Sequence, residues 1–171
     1  MGCELTAGLA GICAYSASGC ERLWLANKGD ISGVTYNADS DITGLTFNTT
    51  GGTFYEIVGA SDSITFQDDL QINGARKNFL QTVNFAVNAM TGGTVLEILE
   101  AIGLASLVAV VKCADGTYRG LGFKGSGLRA TVMTETSGTS AGNDSALNVS
   151  LAGNATGKAS FVAATVMASY L

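Results

Sequence analysis

The stretch TYRGLGFKGSG, residues 117–127, sets Gly120, Gly122 and Gly125 in a G-x-G-x-x-G spacing around Lys124. In a strand–turn–helix unit that spacing lets backbone amides approach a pyrophosphate at a helix N-terminus. The chemistry therefore depends on a helix after the glycines. Beyond Gly125, Leu128, Ala130, Val132 and Thr134 alternate with Arg129, Thr131 and Met133, which is a strand pattern. A P-loop is excluded too, since its lysine stands before Ser or Thr at the end of the glycine run, whereas Lys124 precedes Gly125. We read the glycines as residues that permit bulges and close approach of strands.

Other reactive groups offer little more. The chain has no histidine, which removes the commonest general base and metal ligand, so its many serines lack the usual activating partner. Asp68–Asp69 and Asp39 with Asp41 are the close acid pairs; neither has the EF-hand spacing, and both read as solvated turns. Cys3, Cys13, Cys20 and Cys113 lack the close pairs of a zinc knuckle. Three of them in the first twenty residues leave an N-terminal disulfide or a tied-down arm open, beside small buried side chains in a reduced compartment. Asn48, Asn143, Asn148 and Asn154 head N-x-S/T triplets that chance explains in a chain so rich in Asn, Ser and Thr. No enzyme, metal site or cofactor is expected.

At 171 residues the chain has the length of one domain, residues 1–171, with 1–20 reading as an N-terminal arm. Apolar residues are 47% and charged residues only 13%, so the surface must be built largely from Ser, Thr, Asn and Gly. Fourteen carboxylates outnumber nine scattered Lys and Arg, which argues against a dedicated nucleic-acid reader. The apolar run AIGLASLVAVV (101–111) is stopped by Lys112 short of a membrane span, and the N-terminus lacks the basic start of a secretory signal. We expect a soluble protein without a membrane partner.

Positioning falls to strands. Leu23 and Leu25 about Trp24, then Lys-Gly-Asp, read as two short strands joined by a tight connection. Two longer strands, about 64–72 and 78–90, flank Asn73-Gly74, a strong hairpin signal. Alternation puts Thr65, Gln67, Asp69 and Gln71 on one face of the first and Phe66, Leu70 and Ile72, interrupted by Asp68, on the other. In the second, Thr82, Asn84, Ala86 and Asn88 oppose Gln81, Val83, Phe85, Val87 and Ala89. TGGTVLEILEAIG (91–103) predicts a helix, with Thr94 and Glu97 as a capping box and Gly103 as its end. The last third returns to strands: SLVAVVKCADGTYRGLGFKG with a turn at Asp115-Gly116, then GLRATVMTETSG, ALNVSLAGN and ASFVAATVMA. The tally is a mainly β fold: an antiparallel sandwich or partly closed barrel with one flanking helix.

The order of a Cys-containing arm, RLWLAN, the TFYEI to QTVNFAVNAM pair, one helix, LVAVVKCADGTYRGLGFKGSGLRAT and SALNVSLAGNATGKASFV resembles tail tube subunits of long-tailed bacteriophages, especially phages of Bacteroidetes-type hosts. The resemblance implies a virion protein, assembled in the host cytoplasm into stacked hexameric rings, with itself and other phage tail proteins as partners. DNA would pass through the tube without specific binding. It implies that Thr65, Gln67, Asp69, Gln71, Thr82, Asn84 and Asn88 line the channel, while Phe66, Leu70, Val83, Phe85 and Val87 pack beneath the helix. Residues 1–20 or 37–52 would reach the next ring. A capsid decoration or head–tail connector protein could share such a sandwich. So could a carbohydrate-binding adhesive module, with Trp24 and the tyrosines stacking on sugars.

Overall fold

A computed structural model of the chain describes residues 19–48, 52–58, 63–74, 76–88, 100–136 and 146–170. Two sheets pack face to face, and neither closes into a barrel. The larger runs β2 (Ile31–Tyr36), β3 (Ile42–Phe47), β11 (Ser160–Val162), β8 (Tyr118–Leu121), β7 (Leu107–Cys113), β1 (Cys20–Asn27) and β4 (Tyr55–Ile57). The smaller runs β5 (Thr65–Asn73), β6 (Arg76–Asn88), β10 (Ala146–Ala155) and β9 (Arg129–Thr136), every neighbour antiparallel.

Strands β1 and β7 explain why the larger sheet sits in the middle. Leu23–Ala26 and Leu107–Val111 are continuously apolar and wholly buried, the mark of strands covered on both faces. One face presents Leu23, Leu25, Ala109 and Val111 to Val83, Phe85, Val149 and Leu151 of the smaller sheet. The other presents Trp24, Ala26, Val108 and Val110 to a second core with Ile42, Phe54 and Met167. Only the 3-10 turn Lys28–Asp30 separates β1 from β2, yet the two stand far apart in strand order. The sheet therefore curls around the second core, where Phe47, Phe54 and Tyr170 meet edge to face and the Tyr170 hydroxyl donates to the Leu45 carbonyl at 2.6 Å.

Several expectations need correcting. The two N-terminal strands joined by a tight connection are present as β1 and β2; β1 pairs with β4 and β7, and β2 with β3. The 64–72 and 78–90 pair is β5 and β6, and its turn is shifted by one residue: Asn73 pairs with Arg76, so Gly74, at φ +62, takes the first corner instead of Asn73. Phe66, Val83, Phe85 and Val87 of this hairpin pack in one core with Leu23 and Leu25 of β1, Ala109 and Val111 of β7 and Ile102 of the helical residues 100–104, whereas Leu70 and Ile72 on the same face stay exposed; the rest of the expected helix, 91–99, lies outside the described residues. The helix continues past Gly103, and its expected cap at Thr94 and Glu97 lies outside the described residues. ASFVAATVMA is strand only over Ser160–Val162 and then turns helical over Ala164–Ala168, burying Val166 and Met167 in the curled sheet. Asp115-Gly116 makes the expected turn between β7 and β8: Gly116 sits at φ +82, and Asp115 Oδ1 accepts from the Thr117 amide (2.8 Å) and hydroxyl (2.7 Å).

Candidate functional site

The glycine-rich stretch has a structural explanation. Gly120 lies in β8, and the loop leads into β9 rather than a helix. Gly125 bridges Ala155, and a Cβ there would collide with the carbonyl oxygen of Asn154. Lys124 lies along Gly157, with its ammonium 5.3 Å from the Tyr36 ring centroid, so it packs rather than waits for a phosphate. These residues are where the chain crosses from the larger sheet to the smaller one.

The acid pairs separate in the same way. Asp39 and Asp41 form an exposed turn in which Asn37 Oδ1 accepts from both amides, at 3.0 and 2.8 Å. Asp68 and Asp69 are not a turn; they sit on opposite faces of β5. Asp68 points inward beside Gln81, and its Oδ2 accepts from the Ala159 amide at 2.7 Å. Gln81 is 2% exposed; its Oε1 accepts from the Gly122 amide at 2.8 Å and its Nε2 donates to the Gly157 carbonyl at 3.4 Å. The polar interruptions of the two apolar faces thus tie the smaller sheet to the loops of the larger.

Trp24 is 1% exposed and packs on Tyr118, ring centroids 5.9 Å apart, so it offers no platform to a sugar. Ser140 lies in a G-T-S-A-G stretch, but the chain has no histidine to activate it, and the stretch is outside the described residues. Among the described residues no three Cys, Asp or Glu gather as a metal site.

What the structure does bring together is the outer face of the smaller sheet. Ladder register places Thr65 opposite Asn84 and Gln67 opposite Thr82, with Asp69 and Gln71 further along the same face. Asn84 Nδ2 reaches Thr65 Oγ1 at 3.5 Å, and Gln67 Nε2 donates to Asp69 Oδ2 at 2.8 Å. Thr65, Gln67, Asp69 and Gln71 are exposed, and Thr82 and Asn84 are half-buried. Asn88 pairs through its backbone with Ala146; its side chain lies outside the described residues.

Register also extends this face beyond the hairpin, to residues that alternation within β5 and β6 does not reach. Asn148 and Ser150 on β10 stand opposite Ala86 and Asn84, and Thr134 and Val132 on β9 lie beside them. The alternation of Leu147, Val149 and Leu151 with Asn148 and Ser150 carries that signal. On β9 the alternation breaks: a bulge opposite Ser150 and Leu151 puts Ala130 on the inner face and Val132 on the outer. The face is amide and hydroxyl rather than acidic; its charges are Asp69, Arg129 and, at the hairpin tip, Arg76.

No family model matches this chain, and no curated protein or solved structure does either.

Among the described residues the outermost strands of the same sheet are β5 and β9. Large apolar side chains are exposed along both: Leu70 (50%) and Ile72 (61%) on β5, Val132 (53%) and Met133 (36%) on β9. Isolated apolar surface is ordinary, but large apolar residues exposed along both outermost strands of a sheet are what proteins usually avoid. Among the described residues no helix is long and apolar enough to cross a membrane.

Proposed function

We propose that the chain is a structural subunit of a phage tail tube, self-assembling into stacked hexameric rings through which the genome passes. The observation that carries the reading is one sheet that, among the described residues, combines a nearly uncharged polar face with two outermost strands that expose large apolar side chains. Its four strands alternate in direction, so β9 of one copy meets β5 of the next antiparallel. Such a contact is head-to-tail, and repeated by rotation it closes a ring with a continuous inner barrel. The face lined by Thr65, Gln67, Asp69, Gln71, Thr82, Asn84 and Asn88 turns to the channel. There, few Lys or Arg are offered to phosphates, so passing DNA finds little non-specific affinity. Other tail proteins cap the two ends, and the finished tube belongs to the virion.

The test is negative-stain electron microscopy of the purified chain at high concentration, with light scattering on the same sample. Rings or hollow tubes with a six-fold end view are expected, and Leu70→Lys with Val132→Lys should abolish them while leaving a folded monomer. A compact monomer at every concentration overturns the reading and favours a decoration or binding module. In virions, Gln67→Lys with Asn84→Lys should leave tubes intact but hinder genome release; normal infectivity of that variant would show that this face does not meet DNA.

A further inference from the structure

Cys20 and Cys113 face each other across the β1–β7 ladder as free thiols. The pairing depends on an irregularity. Arg22 opposes Lys112, Cys20 opposes Cys113, and Glu21 is the extra residue between them. Without that bulge, alternation would send Cys20 to the opposite face of the sheet; with it, both thiols point to the same side. The Glu21 carboxylate holds the bulge outward through Lys112, at 2.7 Å.

The ladder position is also the favourable one. The Ala114 amide donates to the Gly19 carbonyl at 3.1 Å, a bond that frames Cys20 and Cys113 as a non-hydrogen-bonded pair. In such pairs Cα atoms lie about 4.5 Å apart and Cβ atoms about 4.5–5.5 Å apart. Disulfides span Cα separations of about 4.4–6.8 Å with Cβ atoms about 3.5–4.5 Å apart, so a small closing movement at the end of the sheet suffices. Cys20 and Cys113 both line a cleft of about 350 Å³ whose rim includes Gly19, Thr65, Asp115 and Arg119. That opening admits a small oxidant.

We propose that Cys20 and Cys113 are a disulfide site, closed by thiol–disulfide exchange with a low-molecular-weight disulfide when the protein leaves a reducing compartment. One protein thiolate attacks the small disulfide, forming a mixed disulfide and expelling one thiolate. The facing thiol loses its proton and attacks the protein sulfur of that mixed disulfide, expelling the second. Two protein thiols are oxidised to one bond, and the small disulfide is reduced to two thiols. The bond fastens the start of β1 to the β7–β8 turn. Burial, with Cys113 adding to it, pushes the Cys20 thiol up to about 11, so exchange at neutral pH is slow and the site stays reduced until exposure is prolonged. The proposal is independent of ring assembly.

The test uses the full chain carrying Cys3→Ser and Cys13→Ser, incubated with oxidised glutathione at pH 8, alkylated, digested and mapped without reductant. A Cys20–Cys113 cross-linked peptide lacking two hydrogens is expected, with no intermolecular dimer. Thermal melting should rise by about 5–10 °C and fall back with dithiothreitol. Two thiols still free, under conditions in which the urea-unfolded chain oxidises, would overturn the proposal. So would a glutathione adduct that does not resolve, a disulfide-linked dimer, or, in the unsubstituted chain, capture of Cys20 by Cys3 or Cys13.

Discussion

Gln81 is the side chain whose removal tests the architecture most directly. It is buried on the inner face of β6, yet it belongs energetically to the other sheet, because its Oε1 is the acceptor for the Gly122 amide at 2.8 Å. Gln81→Met keeps the length and approximate volume while removing that acceptor. The buried Gly122 N–H is then left without a partner, which costs about 1–3 kcal/mol. The thioether's easier desolvation offsets part of this, so we expect Gln81→Met to lose about 1 kcal/mol. Gln81→Ala adds a cavity between the sheets, and large-to-small changes of this kind cost about 2–5 kcal/mol. The order wild type, Gln81→Met, Gln81→Ala should therefore appear as falling urea midpoints at an unchanged slope in dilute solution. In thermal melts each kcal/mol corresponds to about 2–4 °C for a chain of this size. A Gln81→Met midpoint equal to that of wild type would mean that the Gly122 amide is satisfied elsewhere, and that the hydrogen bond between the sheets does not hold the loop.

Gly125→Ala should destabilise by about 1–3 kcal/mol, because its Cβ meets the fixed backbone of Asn154 and Ala155. Gly116→Ala, with open space but φ +82, should cost about 1–2 kcal/mol from backbone conformation alone; equal tolerance of Gly125→Ala and Gly29→Ala, an exposed position with open space and no positive φ, would refute the close approach. Alkylation of reduced Cys20 by iodoacetamide, with peptide mapping, should accelerate about tenfold per pH unit from pH 7.5 to 10 and level off only near 11. The same shift has a stability consequence: the folded thiol ionises later than the unfolded one, so its contribution is fully present below pH 9.0 and is lost as pH rises through about 11. A rate plateau near pH 8.5 would contradict the buried environment of Cys20.

Much of the candidate surface was legible because a strand's side chains alternate with period two. Thr65, Gln67, Asp69 and Gln71 had to share a face once β5 was extended, and Thr82 and Asn84 likewise on β6. The Asp115-Gly116 turn was legible from local chemistry, since a carboxylate that accepts from Thr117 and a glycine at positive φ need nothing from the rest of the chain. The hairpin at Asn73-Gly74 was legible in kind but off by one residue, because ladder pairing on both sides of a turn decides which residues take its corners.

Nothing local distinguishes a polar residue that faces water from one that braces a neighbouring sheet. Asp68 and Gln81 read as flaws in an apolar face until the Ala159 and Gly122 amides arrive from elsewhere to meet them. Val166 and Met167 became helical and buried because the curled sheet offers them a concave core, a site made by strands distant in sequence. Residue order alone dictates that the chain is β-rich, where it turns, and which residues share a strand face, since those depend on backbone geometry over a few residues. Long-range packing dictates which strands become neighbours, which polar groups are buried, and that a bulge at Glu21 brings Cys20 to Cys113, because each depends on contacts between segments far apart along the chain.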